Sequence, residues 1–225
     1  TTEIYTLSLH DALPIYFRPD MNAVRPEEAP VWGCVLIGGR SRRMGAPKHL
    51  LRQDGQAWIE RTTAILRRKV DQVVIAGAGD LPASLAQTLR VDDAPELAGP
   101  LAGILAAFRA YPQVSWLVAA CDLPDMQEEA LQWLLDCRRP GMAAIMPELA
   151  GDGRIEPLLA YYDQSCRRLL EELAAGGHRR MSRLQAAAGV WTPRPPAHLQ
   201  SSWRNVNTPE DLGDAFAALS PHQEG

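Results

Sequence analysis

Hydrophobic positions along the chain form short continuous runs that alternate with longer segments in which apolar residues recur at helical spacing. The short runs are rich in β-branched residues and end near glycine or a polar turn, which is typical of strands buried on both faces. They predict strands at residues 31–37, 72–77, 115–121 and 142–147, and a weaker strand near "VWTP". The segments with helical spacing predict helices at 57–69, 100–110, 127–138, 164–175 and 207–219. The run "LLAYYD" is interpreted as continuing into the helix at 164–175.

The alternation of strands with helices, joined by short connections, predicts an α/β fold. Repeated βα units favour a single three-layer, doubly wound, mostly parallel sheet of the Rossmann-like kind, with right-handed crossovers. We find no internal repeat and no long linker, so one domain is expected over residues 31–219. In such sheets ligands bind outside the carboxyl ends of the strands. This rule predicts a ligand site at the loops after Ile37, Ile75 and Cys121.

The composition of the 225-residue chain is that of a globular protein, with 46% hydrophobic and 22% charged residues. A formal net charge of −4 gives no bulk attraction to nucleic acid or anionic lipid, and no apolar run is long enough for a transmembrane helix. We therefore expect neither nucleic acid nor a membrane as a partner. The four cysteines are widely spaced and match no metal-binding pattern, so they predict free thiols in a reducing cytoplasm.

Residues 1–20 differ from the rest of the chain, which is rich in alanine and arginine. The segment lacks the basic start and the small-residue cleavage site of a signal peptide, and it resembles translated adapter sequence at the end of a gene model. We interpret it as a non-native or disordered leader, with Met21 as the native start. Deletion of residues 1–20 is therefore expected to leave both the unfolding free energy and the activity unchanged. A large loss in either measurement would contradict this interpretation.

The stretch "VLIGGRSRRMGAPKHLL" at residues 35–51 places glycines and cations directly after the first predicted strand. The glycine pair allows a sharp turn in which successive backbone N–H groups form an anion-binding concavity. Arg42, Arg43 and Lys48 add positive charge and favour a phosphate site, although neither the P-loop motif nor GxGxxG is present. A solvated surface loop is the alternative. Lys48 weighs against that alternative, because the chain has only one other lysine among its 23 lysine and arginine residues.

The segment "VAACDLPDM" places Asp122 at the carboxyl end of an apolar strand. A carboxylate buried there is costly unless it is paired with a metal ion or with hydrogen-bond donors. Because Mg²⁺ is usually held by one or two carboxylates together with substrate phosphates, a single aspartate suffices for a magnesium site beside a phosphate-binding loop. The alternative role, a helix N-cap or turn aspartate, fits Asp125 better than Asp122.

A resemblance to a known enzyme family begins in the glycine–arginine stretch. "LIGGRSRRMGAPKHLL" resembles the motif LxGGxSxRMGxxKxLL of nucleotidyltransferases, and its Gly-Gly form resembles the molybdenum cofactor guanylyltransferases. Four further segments are similar to that family and follow in the same order: "DDAPELAGPLAGI", "CDLPDM", "EPLLAYYD" and "NVNTPEDL". The resemblance covers about residues 31–219, and it implies the nucleotidyltransferase version of the predicted α/β fold.

The reaction that the resemblance implies is transfer of GMP from GTP to the terminal phosphate of molybdenum cofactor (Mo-molybdopterin). Pyrophosphate leaves, and the guanine dinucleotide cofactor forms. The implied catalytic residues are Arg43, Lys48 and Asp122, with Mg²⁺ bound by Asp122. The implied GTP-binding residues are Leu36, Ile37, Gly38, Gly39, Ser41, Lys48, Asp92 and Asp122.

The nucleotide-contacting aspartate of the family lies seven residues before the first glycine of the "GPLAG" turn, and this spacing gives Asp92. Asp93 is the alternative inward-facing carboxylate. On the acceptor side, the resemblance implies that Asn205 and Asn207 face the pterin. The implied partners are the two substrates, other cofactor-biosynthesis proteins and apo-molybdoenzymes.

One departure from the family pattern concerns the end of the second strand. The guanylyltransferases often carry a nucleotide-contacting asparagine there, in a pattern like VVxNAN, whereas this chain has "VVIAGAG" with Ala76 at that position. Two alternatives to the guanylyl function follow. One is a molybdenum cofactor cytidylyltransferase that uses CTP, although those relatives more often read Ala-Gly in the first motif. The other is a non-catalytic nucleotide-binding maturation factor. The presence of both Lys48 and Asp122 argues against this alternative.

Overall fold

A seven-stranded sheet forms the centre of the computed structural model, which describes residues 29–38, 47–149, 153–178 and 180–206. The strands are β1 (Val31–Leu36), β2 (Arg52–Gln53), β3 (Gln56–Ala57), β4 (Val73–Ala76), β5 (Leu89–Val91), β6 (Ser115–Ala120), β7 (Ala144–Ile145), β8 (Leu159–Tyr162) and β9 (Val190–Trp191). The α-helices within these ranges are α1 (Trp58–Leu66), α2 (Pro100–Ala110), α3 (Glu128–Asp136) and α4 (Cys166–Ala175). Short 3₁₀ helices cover Lys48–Leu50, Ala83–Leu85, Met181–Ala186 and Ala197–Trp203.

The strand order across the sheet is β5-β4-β1-β6-β8-β7-β9, and β2 and β3 form a separate hairpin. β1 pairs in parallel with β4 on one side and with β6 on the other. β8 is antiparallel to both of its neighbours, while the remaining paired strands of this sheet run parallel. The predicted doubly wound, mostly parallel α/β fold is therefore confirmed.

The side chains of β1 show how the sheet separates two apolar layers. Val35 packs in one layer with residues of α1 and α3, whereas Cys34 and Leu36 pack in the other with residues of α2 and α4. Successive side chains of a strand point to opposite faces, so a strand that is apolar at every position is covered on both sides. This arrangement gives the three predicted layers and leaves the ends of the strands as the place for a ligand.

All four cysteines lie in these apolar layers as free thiols, which confirms the prediction that none is paired. Burial raises the pKa of Cys34, Cys121 and Cys166 to about 12. For Cys121 the neighbouring Asp122 carboxylate adds to that rise, and Lys48 opposes it. The thiols therefore remain protonated at neutral pH and act as small apolar side chains.

β8 corrects the interpretation of "LLAYYD" as a direct lead into a helix. Leu159–Tyr162 forms a strand whose four side chains are all buried, and it pairs antiparallel with β6 and β7. α4 then starts only at Cys166. The helix predicted at 207–219 and the leader predicted at 1–20 lie outside the described residues. Within the described part of the chain, no helix is both long enough and apolar enough to cross a membrane.

Candidate functional site

The loops after β4, β1 and β6 lie side by side at one edge of the sheet, because these three strands are adjacent and parallel. Ile37 donates its N–H to the Ala76 carbonyl at 2.9 Å, and Cys121 donates to the Leu36 carbonyl at 3.3 Å. These bonds extend the pairing beyond the strand ends and hold the first residues of the loops together. The three loops that were predicted from the sequence to form a ligand site therefore lie together.

The glycine–arginine stretch begins at this place. Leu36 and Ile37 are buried at the end of β1, and Gly38 is exposed with a φ of +102°, a conformation that favours glycine. The predicted residues Gly39, Ser41 and Arg43, and Asn207 at the other end of the chain, lie outside the described residues. Their assigned roles therefore remain predictions.

Lys48 and Asp122 form an ion pair at the mouth of these loops. The Lys48 Nζ lies 2.9 Å from Asp122 Oδ2, and the two side chains are 16% and 17% exposed. The lysine comes from the 3₁₀ helix near the end of the glycine–arginine stretch, and the aspartate follows β6. The structure therefore joins the two residues whose types and positions predicted a phosphate and magnesium site, although 74 positions separate them in the sequence.

A backbone segment near the carboxyl terminus completes this cluster. Val206 donates its N–H to the Asp122 carbonyl at 3.1 Å, and the Val206 carbonyl accepts a hydrogen bond from Lys48 Nζ at 2.8 Å. Asn205, the residue before it, is exposed. An ion pair between Arg204 and Asp125 ties the same segment to the loop after β6. The sequence placed Asn205 here by resemblance, but it gave no signal for the contact through the Val206 carbonyl.

Asp93 and Asp92 differ in their surroundings. A Cβ built on Gly103 of α2 would lie 3.2 Å from Asp93 Oδ1, 3.1 Å from Leu36 and 3.4 Å from the Ala76 Cβ. Asp93 thus lies against the start of α2 and the ends of β1 and β4, and its partial burial, followed by the nearby Asp92 carboxylate, raises its pKa. Asp92 is exposed. Of the two carboxylates, Asp93 therefore faces the meeting point of the loops.

The loop after β4 contains two glycines that other residues could not replace without strain. Gly77 has a φ of +117°, and a Cβ added to it would lie 2.2 Å from the Ile37 carbonyl oxygen. Gly79 has a φ of +145°, and its Cβ would lie 2.9 Å from the ring of His49. The ring of His49 is buried, and its Nε2 lies 2.9 Å from the Asp80 carbonyl, so Nε2 donates. No pattern in the sequence marks His49 as a site residue, although it follows Lys48 directly.

Gly77→Ala is expected to lower the free energy of unfolding by about 2 kcal/mol or more, because it combines an unfavourable φ with a backbone clash. Gly141→Ala is the matched control: its φ is +80°, but nothing lies within 4 Å of the added Cβ. There only the backbone strain remains, at about 1 kcal/mol. Urea unfolding of the two variants measures the difference, and equal losses would show that the close approach of Gly77 to β1 is unimportant.

The donor set around Asp122 suits a hard cation that also binds phosphate. Within the described residues no group of three or more His, Cys, Asp and Glu side chains could hold a metal ion on its own. Asp122 offers one partly exposed carboxylate at the edge where the predicted phosphate loop begins. Mg²⁺ commonly takes one or two carboxylates and fills its other positions with water and substrate phosphate oxygens, so these residues fit it as part of a complex with a triphosphate.

Comparison with known proteins gives consistent matches. The model of the MobA-like NTP transferase domain matches residues 33–190. A molybdenum cofactor biosynthesis bifunctional protein of Synechocystis sp. is 30% identical over 190 residues, which cover 83% of this chain and 54% of that protein. The chain thus spans about half the length of that relative. A probable molybdenum cofactor guanylyltransferase of Pelotomaculum thermopropionicum is 32% identical over 188 residues, which cover 80% of this chain and 89% of that protein.

A solved structure agrees with the sequence matches. Molybdopterin-guanine dinucleotide biosynthesis protein A from Archaeoglobus fulgidus aligns with a TM-score of 0.68 and 28% identity, covering 83% of this chain and 97% of that one. This likeness confirms the α/β nucleotidyltransferase fold, and the matched family domain includes most of β1, all of β4 and β6, and the loops that follow them. The chain belongs to the family of MobA-like NTP transferases.

Proposed function

We propose that this protein transfers GMP from GTP to the terminal phosphate of molybdenum cofactor, releasing pyrophosphate and forming the guanine dinucleotide cofactor. The observation that carries the proposal is the Lys48–Asp122 pair at the adjacent carboxyl ends of β1 and β6. It lies where the family motifs assign triphosphate chemistry, and the named activity of the Pelotomaculum relative is guanylyl transfer to molybdenum cofactor.

In the proposed reaction an oxygen of the cofactor's terminal phosphate attacks the α-phosphorus of GTP. A new P–O bond forms on the side opposite the β-phosphate, and the bond between the α-phosphorus and the bridging oxygen breaks. The electron pair leaves with pyrophosphate. The attacking phosphate is already ionised at neutral pH, so no side chain has to remove a proton. Catalysis therefore consists of positioning the two phosphates and neutralising charge on the leaving group.

Lys48 supplies a compact charge for this purpose. Its ammonium group has three donors, and the contacts to Asp122 and Val206 show that it projects into the meeting point of the loops. We assign it to the leaving phosphates, together with the backbone N–H groups from Gly38 to Ser41 and the guanidinium of Arg43. The assignments of Gly39, Ser41 and Arg43 follow from the sequence motif.

We assign Mg²⁺ to Asp122, whose carboxylate would hold the ion beside the triphosphate. When bound, the ion supplies charge neutralisation and orients the phosphates. For the nucleoside we assign Asp93 rather than Asp92, because a carboxylate oxygen of Asp93 lies beside Gly103 of α2, next to the ends of β1 and β4. The remaining predicted nucleotide contacts, Leu36, Ile37 and Gly38, lie at the end of β1.

The acceptor side of the site is proposed to lie between β6 and the carboxyl-terminal segment. The Val206 backbone bonds place Asn205 beside Asp122, and Asn207 follows it in the sequence. On the other side, Ala120 donates to the Leu158 carbonyl at 2.8 Å, which brings the segment before β8 to the same edge. Other cofactor-biosynthesis proteins and apo-molybdoenzymes remain proposed partners, and we place the reaction in the cytoplasm.

A cytidylyltransferase of the same cofactor is the second candidate, and Ala76 is the observation that favours it. The Ala76 side chain is a buried methyl group, so the amide by which the guanylyltransferases often contact the nucleotide is absent at this position. A non-catalytic nucleotide-binding factor is the third candidate.

One experiment separates the three candidates: pyrophosphate release with Mg²⁺ and molybdenum cofactor, measured side by side with GTP, CTP and ATP. We expect release with GTP alone. Release chiefly with CTP would assign the protein to the cytidylyl branch. Nucleotide binding without release from any of the three would instead support the non-catalytic role.

A further inference from the structure

Arg90 of β5 holds the loop after β4 in one conformation. Its guanidinium donates from Nη2 to the Gly79 carbonyl at 2.8 Å and to the Gly77 carbonyl at 3.1 Å. On the far side of the same loop, His49 donates to the Asp80 carbonyl and packs against Gly79. Two glycines at positive φ would otherwise leave this loop with many accessible conformations.

These contacts determine which backbone groups of the loop remain available to a ligand. In a planar trans peptide the carbonyl of one residue and the N–H of the next point in opposite directions. Because the Gly77 and Gly79 carbonyls point to Arg90, the N–H groups of Ala78 and Asp80 point away from it. Arg90 lies on the edge strand β5, so these N–H groups face away from that edge, and β1 lies on that other side of β4.

At two of its peptides the loop therefore turns the carbonyl toward Arg90 and the N–H group away from it. Among the described residues, none accepts a hydrogen bond from the Ala78 or Asp80 N–H, and residues 78–80 are exposed. The side chain of Ala76 adds neither a donor nor an acceptor. The charged side chain of this loop, Asp80, is exposed and offers acceptors only. The hydrogen-bond donors that the loop offers are therefore backbone N–H groups.

We infer that the Ala78–Asp80 backbone is a nucleobase-binding surface and that Arg90 sets its preference for guanine as a positioning residue. The inference rests on the proposed function and names how the base is chosen. Guanine offers acceptors at O6 and N7, which match N–H donors, whereas adenine and cytosine carry amino groups at the corresponding position. An amino group that meets N–H donors leaves both partners without an acceptor, which discriminates against it.

The test measures binding alone, so it does not depend on the acceptor substrate. Calorimetry with the full chain and Mg²⁺ gives the dissociation constants of GTP, ATP and CTP for the wild type, Arg90→Ala and Arg67→Ala. Arg67 is the matched control because its guanidinium bonds to Thr88 Oγ1, beside β5, and does not contact the loop. We expect the wild type and Arg67→Ala to prefer GTP. We expect Arg90→Ala to lose about tenfold of that preference, mainly through weaker GTP binding.

Arg90→Lys provides a second variant, because its ammonium group can still reach one of the two carbonyls. It is expected to retain an intermediate preference, and it keeps the test valid if Arg90→Ala unfolds. Unchanged GTP preference in both variants would overturn the inference and leave the proposed transfer reaction intact. Equal binding of the three nucleotides by the wild type would overturn it as well. GTP preference that depends on Arg90, in a protein that releases no pyrophosphate, would support the inference and contradict the proposed reaction.

Discussion

Replacement of Asp122 with asparagine is expected to reduce the rate of nucleotidyl transfer about 10³-fold or more, because the neutral amide binds Mg²⁺ poorly and the triphosphate loses its link to β6. The substitution keeps the size of the side chain and the backbone bonds to Val206. The chain should therefore remain folded. Its unfolding free energy should fall by only about 1–3 kcal/mol, since Lys48 loses a charged acceptor.

Steady-state pyrophosphate release and urea unfolding measure the two effects of Asp122→Asn. Asp71→Asn is the control, because Asp71 is exposed in the turn that enters β4 and lies at the opposite end of that strand from the site. It should change the rate less than about twofold, as expected for a surface substitution away from the chemistry. If Asp122→Asn retained a tenth of the wild-type rate with saturating Mg²⁺, Asp122 would not be the metal-binding residue.

The strands that carry the site could be predicted from the sequence because they are the most deeply buried ones. β1, β4 and β6 are central in the sheet, so their side chains are apolar on both faces and the runs stand out from their surroundings. β5 was not predicted. It is a three-residue edge strand with Leu89 and Arg90 exposed, and neither alternation nor a continuous apolar run marks it.

The β2–β3 hairpin was missed for a different reason. Its turn is formed by Asp54 and Gly55, both at positive φ, and Asp-Gly is a strong hairpin signal. The strands on either side have only two residues each and contain no alternating apolar pattern. β8 was misinterpreted because a short apolar run without a turn signal before a helix does not reveal where the strand ends.

Only the side-chain contributions to the candidate site could be predicted from the sequence. Lys48 and Asp122 each have a residue type that suits phosphate or metal chemistry, so the sequence could predict them as site residues, and the structure brings the two together. The Val206 carbonyl and the loop contacts of Arg90 involve backbone groups, which every residue possesses and which therefore leave no trace in the sequence. The choice between Asp92 and Asp93 also required the structure, because the sequence does not show in which direction each of two adjacent aspartate side chains points.

The second large effect is expected for Lys48→Ala, which should reduce kcat/KM for GTP about 10³-fold through a lower kcat and a higher KM. The ammonium group is the charge that we assign to the departing pyrophosphate, and its removal also takes away the ion-pair partner of Asp122. Lys48→Arg should not restore the rate. Two acceptors at 2.9 and 2.8 Å surround one compact ammonium group, and a planar guanidinium cannot take its place without displacing Val206.

Lys69 is a close control for this substitution, since it is the other lysine of the chain. Its side chain is 19% exposed, against 16% for Lys48, and it pairs with Glu128 at 2.9 Å. Lys69→Ala thus removes a similarly buried, ion-paired lysine that contacts α3 and lies outside the Lys48–Asp122 cluster. It should lower stability as much as Lys48→Ala while leaving pyrophosphate release within about twofold of the wild type.

A double-mutant cycle then tests whether Lys48 and Asp122 act on the same triphosphate. When two residues act in the same step, the double variant loses much less activity than the sum of the two single losses predicts. The Lys48→Ala and Asp122→Asn double variant should therefore be only slightly slower than either single variant, measured as kcat/KM for GTP. Full additivity of the two losses, or a Lys48→Ala rate close to that of Lys69→Ala, would contradict the assignment of Lys48 to the reacting phosphates and leave its contact with Asp122 as a structural ion pair.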